Sequence, residues 1–394
     1  MRTIYVKDGA RREIAVVEDG KLCEYLLDNP QESGADAIYL GRVERVVPGM
    51  NAAFVDIGQK RNGFLPLEEK SRSCLPVKLQ AGMRIPVQIR REAHDQKGAF
   101  LSRDLTILGQ YTILMPMNRY VGVSAKLTDE AQRQRLIALG KGIAGDRFGL
   151  VMRTSAQDAD EALIAEEAES LWERWQAIEK QLATAPAPSV ISCDDSLLDG
   201  IVRDYAPRGI DRIVTDSEDV ARQYGSFAAK VEVSSASLME DAGLTAQRDK
   251  ALERFVWLKS GGSLMIDPCE ALTVIDVNTG KFTGSRLLGD TVRKLNLEAC
   301  NEIARQLRLR NIGGIIIIDF IDMQEESDRQ DVLEALQAAL MQDRVKTVVH
   351  GFTSLGLVEM TRKRSRTTLR DAWSRSCPHC GGSGRAPYKE EEHG

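Results

Sequence analysis

The amino-acid sequence predicts a multidomain protein that combines an α+β part with an α/β part. Its 394 residues suggest two to four domains, and an apolar content of 43% is enough to build their cores. The first hundred residues carry short β-branched and aromatic runs separated by glycine turns, which is typical of small antiparallel sheets and barrels. The last third alternates such runs with helical patterns, as α/β folds do.

The first 34 residues contain three short apolar runs, with turns at Asp8-Gly9 and Asp19-Gly20. This pattern predicts a meander of three strands. Three short strands bury too little apolar surface to fold alone. We therefore expect them to join a sheet that later residues complete.

Five short strands follow between residues 36 and 103, which predicts a small barrel of the OB type. Phe54 and Phe64 flank its second hairpin, and Arg90, Arg91 and Lys97 follow. Aromatic side chains interleaved with cations suit base stacking and phosphate contact. The alternative is that both phenylalanines belong to the barrel core.

Residues 105–190 combine a predicted strand pair with two predicted helices, 128–139 and about 158–183. The second helix is acidic and amphipathic, and a solvated face is its simplest role. The segment Ala185–Ser189 contains two prolines and predicts a linker. Beyond it, the pattern near 197–224 indicates a β/α unit.

Two hydrophobic runs, 272–278 and 313–322, carry Asp276 and Asp319 at their ends. Each run is short, β-branched and bounded by glycine, which predicts a buried strand. A buried carboxylate is costly unless it is paired or binds a metal, and two close carboxylates invite a divalent cation. Such a cation with open water positions suits phosphodiester hydrolysis. The structural alternative is an Asp that caps a helix or pairs with an Arg.

Basic residues are concentrated in two places, although the net charge is −5. The predicted central helix, about 286–310, ends in Arg305, Arg308 and Arg310, which either complement the helix dipole or contact phosphate. The run 357–364 predicts a basic helix. Because this run is positively charged in a protein of negative net charge, nucleic-acid contact is favoured over a merely solvated face.

The chain ends in Cys377-Pro-His-Cys380 followed by Gly-Gly-Ser-Gly, a knuckle turn suited to metal–thiolate geometry. Two thiols supply only half of the ligands that zinc prefers, so a second copy of the chain could supply the others. His379 is an awkward third ligand, and a redox dithiol lacks the expected β/α context.

The seven cysteines are scattered, which fits a reducing compartment better than a disulfide framework. The sequence contains no signal-peptide pattern and no apolar run of membrane-spanning length. We therefore expect a cytoplasmic protein with no membrane span.

Together these segments resemble the ribonuclease E/G family of bacterial endoribonucleases over nearly the whole chain. The resemblance is carried by four blocks, 48–58, 270–278, 296–311 and 318–323. It implies that Asp276 and Asp319 are Mg²⁺ ligands and that Asn278 orients the first carboxylate and touches the scissile region. Lys346 matches a position where the family often places a basic residue near the site.

The same resemblance implies two RNA-contacting regions and one shared metal. In the barrel, which would be S1-like, the RNA-binding positions fall on Phe54, Phe64 and Lys97. A sensor for an RNA 5′-monophosphate would follow, and its contacts fall on Gly109, Ile113, Arg153 and Thr154. An Arg, a Thr hydroxyl and backbone N–H groups offer suitable donors to several phosphate oxygens. Cys377 and Cys380 match a zinc-link that two protomers share.

The implied architecture is composite. An RNase H-like fold would be interrupted by the barrel and the sensor and followed by a DNase I-like region and a zinc-link. The corresponding ranges are 1–35 and 191–251 (RNase H-like), 36–103 (S1-like), 104–190 (sensor), 252–373 (DNase I-like, catalytic), 374–386 (zinc-link) and 387–394 (tail).

The chain departs from the family pattern by ending soon after the cysteine pair. It lacks the small domain that pairs dimers into tetramers and the long disordered scaffold of some members. We therefore expect a zinc-linked homodimer without a built-in degradosome scaffold.

The expected activity is Mg²⁺-dependent endonucleolytic cleavage of single-stranded RNA to 5′-phosphate and 3′-hydroxyl products, stimulated by a 5′-monophosphate. Its expected roles are rRNA and tRNA maturation and mRNA decay. One alternative is a non-catalytic RNA-binding protein. The presence of Asp276, Asn278 and Asp319 together argues against it. Another is a DNA nuclease that uses the same metal chemistry.

Overall fold

A computed structural model describes residues 1–28, 36–67, 78–93, 97–192, 197–279, 289–364, 366–380, 382 and 384. The chain divides into two compact units. Unit 1 contains Met1–Ile14 and Asp28–Leu238, and unit 2 contains Ala15–Leu27 and Met239–Gly394. Across the described ranges, every helix is too short or too polar to cross a membrane.

The N-terminal strands are β1 (Arg2–Lys7), β2 (Arg12–Glu18) and β3 (Lys21–Asp28), and the boundary between the units falls within β2. Strand β1 pairs in parallel with a later strand of unit 1, with Thr3 opposite Arg212. This pairing confirms the expectation that the opening strands join a sheet completed by later residues.

The barrel strands are β4 (Ile38–Val47), β5 (Ala52–Asp56), β6 (Gly63–Pro66), β7 (Arg84–Arg91) and β8 (Phe100–Ser102). They are hydrogen-bonded in the order β4-β5-β6-β8-β7, and a pairing of β4 with β7 closes the barrel. Gly63 allows β6 to lie close to β8, because a side chain there would collide with Leu101. The predicted five-stranded barrel is confirmed.

Beyond the barrel come β9 (Ile107–Leu108), β10 (Thr112–Met115), β11 (Val121–Val123), α1 (Glu130–Ala144), β12 (Gly149–Met152), α2 (Glu161–Thr184) and β13 (Ser189–Ser192). Strands β9 to β12 form a sheet in the order β11-β12-β10-β9. Asp129 and Asp160 cap α1 and α2 by accepting hydrogen bonds from backbone N–H groups of the first turn. Both helices contribute buried apolar side chains to one core with this sheet.

The segment predicted as a linker is fastened to the barrel. Arg42 Nη2 donates to the Ala187 carbonyl oxygen at 2.7 Å, and Arg84 Nη2 donates to that of Ala185 at 2.6 Å. Ser189 then begins β13, which pairs antiparallel with β4. The segment is therefore an irregular connection between α2 and β13, as predicted, and it is held to the barrel by these hydrogen bonds.

The described part of unit 1 continues with α3 (Leu197–Tyr205), β14 (Arg212–Thr215), α4 (Glu218–Tyr224) and β15 (Lys230–Val233), and α5 (Leu238–Asp241) and α6 (Leu244–Lys250) lead into unit 2. Strands β1, β14 and β15 are consecutive parallel strands of one sheet. The predicted β/α unit is confirmed.

The remaining elements of unit 2 are β16 (Phe255–Trp257), β17 (Ser263–Pro268), β18 (Leu272–Asn278), α7 (Gly289–Leu309), β19 (Gly314–Asp319), α8 (Glu326–Leu340), β20 (Thr347–Phe352), β21 (Val358–Arg362) and α9 (Leu369–Trp373). The strands form one sheet in the order β16-β17-β18-β19-β21-β20. Strands β18 and β19 are parallel, as a connection that contains a long helix requires, and the other pairings are antiparallel.

This sheet has one covered face and one open face. Ile275, Val277, Ile316 and Ile318 are buried in a core that also contains α7 and α8. The residues between them are half-buried or exposed, and Ile315 is 50% exposed. The prediction of buried strands holds for one face only, because both strands alternate between a covered and an open face.

The basic end of α7 is engaged within unit 2. Arg305 pairs with Glu302, Arg308 pairs with Glu18 at 2.8 Å, and Arg310 donates to the backbone carbonyl oxygen of Glu253 at 2.8 Å. These bonds favour a structural role for the three arginines over the alternative of phosphate contact.

The predicted basic helix at 357–364 is instead strand β21. Its last residue, Arg362, is buried and donates through Nε to Asp343 Oδ2 at 2.7 Å. Burying a charge is tolerable when a partner neutralises it. At least this cation of the basic run therefore holds the fold together rather than facing a ligand.

Candidate functional site

The two candidate carboxylates lie next to each other at the ends of β18 and β19. Their parallel register places Asp276 directly opposite Asp319. Register partners in a parallel pair point to the same side of the sheet, and neighbouring strands are about 4.8 Å apart. Both side chains lie on the open face, where Asp276 is half-buried and Asp319 is exposed. The structure thus brings together the pair that the sequence predicted.

Two further polar side chains complete this group. Asn278 Nδ2 donates to Asp276 Oδ2 at 2.8 Å. Burial raises the pKa of Asp319 above its usual value, and the negative charges of Asp276 and Asp322 raise it further. Part of this rise comes from repulsion between neighbouring carboxylates, which a bound cation would relieve.

Asn296 on α7 fixes the segment that follows Asp319. This buried amide accepts a hydrogen bond from the Ile321 N–H at 3.2 Å and donates to the Ile321 carbonyl oxygen at 2.9 Å. The two bonds hold the chain between Asp319 and Asp322 in place. The sequence gives no local signal of this role for Asn296, because its hydrogen-bonded partner is 25 positions away.

The donor set suits Mg²⁺ better than a metal that needs a complete protein cage. Magnesium is commonly bound by one or two carboxylates and keeps several waters. Asp276 and Asp319 offer two carboxylates on an accessible face, and the Asn278 amide holds one of them. Within the described ranges, no group of three or more His, Cys, Asp or Glu side chains is arranged to hold a metal ion. The open pair is therefore suited to an ion that shares its coordination with water and substrate.

Lys346 does not belong to this group. It directly precedes β20, and the register places the start of β20 opposite Arg362, which in turn lies opposite Gly314. Gly314 begins β19, whereas Asp319 ends it. Five residues of strand correspond to about 16 Å. The expectation that Lys346 lies near the carboxylates is wrong, because it lies at the opposite end of the sheet.

In unit 1, the barrel carries a continuous row of cations and aromatic rings across its surface. In register, the row runs Arg45, Phe54, Phe64, Phe100, Arg91. The Phe54 and Phe64 ring centroids are 5.9 Å apart, and those of Phe64 and Phe100 are 5.8 Å apart. Arg45 and Arg91 lie over the Phe54 and Phe100 rings at 4.7 and 4.4 Å.

This row, called the barrel row below, favours base stacking over a core role for the two phenylalanines. Phe54 and Phe64 are half-exposed, whereas the barrel core is made by other side chains. Lys97 is exposed and lies three residues before Phe100. Sequence reasoning missed Phe100 and Arg45, because only the register shows that they extend the row. A surface of rings flanked by guanidinium groups is suited to stacking bases.

The residues predicted to form the 5′-phosphate sensor lie close together around the β9–β10 turn. Arg153 Nη1 donates to the Gly109 carbonyl oxygen at 2.6 Å, and Nη2 donates to Asp204 Oδ1 at 2.5 Å. Thr154 directly follows Arg153 and is exposed. Ile113, on β10, lies opposite Leu108, on β9. Asp204 was not predicted, and it neutralises and orients the Arg153 guanidinium.

Glu167 on α2 shapes the same turn. Its carboxylate accepts hydrogen bonds from the N–H groups of Gln110, Tyr111 and Thr112 and from the Thr112 hydroxyl, at 2.5 to 3.1 Å. A side chain at position 109 would collide with this carboxylate. The glycine at position 109 is therefore needed to admit Glu167, which fixes the turn that contacts Arg153.

The C-terminal thiols lie in a glycine-rich turn. Cys377 is exposed and Cys380 is half-exposed. Backbone hydrogen bonds from Gly382 and Gly384 lower the pKa of Cys380, and both glycines have the positive φ that a side chain disfavours. A thiolate stabilised by backbone N–H groups is suited to bind zinc, and the two thiols of this turn could supply two of the four ligands that zinc prefers.

Known proteins resemble this chain over most of its length. Residues 106–365 match the model of the Ribonuclease E/G family. The chain is 38% identical to Ribonuclease G of Haemophilus influenzae, over 96% of this chain and 82% of that protein. It is 37% identical to Ribonuclease G of Escherichia coli K12, over 94% and 81%. It is also 38% identical to Ribonuclease E of Nostoc sp. PCC 7120, over 88% of this chain and 54% of that protein.

Proposed function

Because the chain belongs to the Ribonuclease E/G family, we propose that it is an endoribonuclease that cleaves single-stranded RNA with the help of Mg²⁺. Its products would be a 5′-phosphate and a 3′-hydroxyl. The observation that carries the proposal is the register pairing of Asp276 with Asp319 beside Asn278.

The carboxylate pair and the two asparagines beside it have different tasks. Asp276 and Asp319 hold the cation on the open face of the sheet, which an extended single strand of RNA can reach. When bound, Mg²⁺ lowers the pKa of a coordinated water and neutralises charge on the phosphate. Asn278 fixes one carboxylate oxygen of Asp276, so that the other oxygen remains available. Asn296 keeps Asp319 and Asp322 in place through the intervening backbone.

The barrel and the sensor select the RNA in this proposal. The barrel row stacks unpaired bases, and Lys97 contacts the phosphate backbone. Arg153, Thr154 and the backbone around Gly109 and Ile113 bind a 5′-monophosphate, which stimulates cleavage. Arg153 already neutralises Asp204, so the phosphate would share this guanidinium with the carboxylate.

The proposed assembly is a homodimer linked by zinc through Cys377 and Cys380 of each protomer. The proposed setting is the cytoplasm, and the proposed roles are rRNA and tRNA maturation and mRNA decay. Cys380, with its lowered pKa, supplies a thiolate at neutral pH more readily than an ordinary cysteine does.

The test compares a short A/U-rich RNA carrying a 5′-monophosphate with its 5′-hydroxyl twin and with the matching DNA, in Mg²⁺ and in EDTA. Cutting that needs Mg²⁺, prefers the monophosphate and disappears in Asp319→Asn supports both site and sensor. Tight RNA binding without cutting would move the protein to the RNA-binding class. Equal cutting of the DNA would show that the substrate is not restricted to RNA.

A further inference from the structure

Two aromatic side chains of the catalytic sheet lie exposed on the same face as the carboxylates. Phe255 and Trp257, on β16, are 52% and 72% exposed. Val256, between them, packs against the core of unit 2. The alternation of a strand therefore turns both rings to the open face. Large exposed aromatic surface usually marks a binding site.

The register aligns these rings with the candidate active site. Phe255 lies opposite Met265, Met265 lies opposite Asp276, and Asp276 lies opposite Asp319. Trp257 lies opposite Ser263, which lies opposite Asn278. Two strand spacings separate β16 from β18, so Phe255 is about 10 Å from Asp276 across the face. That distance places the rings beside the scissile phosphate, within reach of neighbouring nucleotides.

We propose that Phe255 and Trp257 form a stacking platform for the bases of RNA nucleotides that flank the scissile phosphate. The two residues are two positions apart, about 7 Å along the strand, which is the scale of one extended nucleotide step. Aromatic rings bind bases of any sequence, because every base has a π-face. This platform is separate from the barrel row, since it belongs to the sheet that carries the carboxylates. The proposal rests on the proposed function.

RNA is a better occupant than a second protein chain for two reasons. The rings face out of the sheet plane and not along the free edge of β16, where another strand would pair. They also continue the same register rows as Asp276 and Asn278, which must contact the substrate if the pair is catalytic. A partner protein on this face would cover the carboxylates.

The test uses the full-length protein with Asp319→Asn, so that RNA binds without being cut. Phe255→Ala and Trp257→Ala should each raise Kd for a single-stranded oligonucleotide about tenfold, whereas Trp257→Phe should stay near the parent value. Ile315→Ala is the matched control, because it removes an exposed apolar side chain from the same face at the far end of β19. Its Kd should not change.

A second arm shortens the RNA from either end. The effect of Trp257→Ala should vanish once the nucleotides that reach the platform are removed from one side. Unchanged binding in the Phe255→Ala/Trp257→Ala protein would overturn the proposal. So would a change of its mass by light scattering with binding intact, because the rings would then bind a second copy. If wild-type protein does not cleave but the aromatic variants still lose binding, the proposed function fails and the platform stands.

Discussion

Asn278 donates its amide hydrogen to Oδ2 of Asp276 at 2.8 Å, and Asp276 lies in register with Asp319 on the neighbouring parallel strand. One amide thus orients one member of a carboxylate pair that the backbone holds at a fixed spacing. The two carboxylates and the amide come from two strand ends, so their arrangement does not depend on a loop.

Asp276→Asn and Asp319→Asn should each lower the rate of RNA cleavage about 10³-fold or more, because loss of the cation removes several kcal/mol of transition-state stabilisation. Both substitutions keep the size of the side chain, so circular dichroism and RNA affinity should stay unchanged. Single-turnover cleavage measures the effect. Wild-type rates in both variants would refute the assignment.

Arg153→Ala should abolish the preference for 5′-monophosphorylated RNA and leave cleavage of 5′-hydroxyl RNA intact. Charge-assisted hydrogen bonds are worth about 1.5–3 kcal/mol, so the preference should fall about 10–100-fold. Asp204→Asn should weaken the preference less, since Arg153 retains its bond to Gly109. Arg147→Ala, which removes an exposed ion pair of the same unit, is the control. An equal loss on both RNAs would indicate a structural effect instead.

Asp343→Ala should destabilise unit 2 by about 3–5 kcal/mol, because it leaves the Arg362 guanidinium buried without its carboxylate. The side chains of Arg362 and Asp343 are only 3% and 1% exposed. Glu326→Ala, which breaks an exposed pair with Arg329 on α8, should cost less than about 1 kcal/mol. Urea unfolding measures both, and similar midpoints for the two variants would contradict the prediction.

Cys23 and Cys300 should resist alkylation in the folded protein. Burial raises their pKa from 9.0 to about 11 and about 12. The thiolate is the reactive form, and at pH 8 its fraction at Cys23 falls from about a tenth to about a thousandth. Exposed Cys269 should react at the ordinary rate. Mass spectrometry after iodoacetamide treatment, with a urea-unfolded control, measures the difference; equal labelling in the folded protein would contradict it.

Replacing both Cys377 and Cys380 with Ser should convert the proposed dimer to a monomer, and a zinc chelator should do the same to the wild type. Cys269→Ser removes an exposed thiol outside the turn and should leave the mass unchanged. Light scattering with zinc analysis tests this. A dimer that survives in the double variant would show that other contacts hold it together.

Local pattern was sufficient to predict strands β18 and β19, the barrel and the carboxylate pair. The runs that contain Asp276 and Asp319 are short and β-branched, and a helix between them makes parallel pairing the natural outcome. Pattern could not show that one face of this sheet is open, because runs such as Ile315 to Ile318 are apolar at every position. Their outward members, such as Ile315, are exposed because the described part of the chain leaves this face open.

Two of the wrong predictions share one cause. Lys346 and the run 357–364 were interpreted by position along the chain, whereas their surroundings are set by strand order. Strand β21 lies between β19 and β20 and runs antiparallel to both. Lys346 therefore lies beside the start of β19, whereas Asp319 is at its other end. Partners such as Asp204 for Arg153, or Asp343 for Arg362, are likewise set by tertiary folding and leave no signal in a local window.

The barrel row has a property that its individual contacts do not reveal. Read from either end, it presents a guanidinium, three rings and a guanidinium. Because the order of residue types is the same in both directions, that order alone does not define the direction of a bound strand. Polarity must come from an asymmetric feature elsewhere, such as a pocket that accepts only a terminal phosphate. In the proposed function, the barrel row would then set how firmly RNA is held, and the sensor would set its direction.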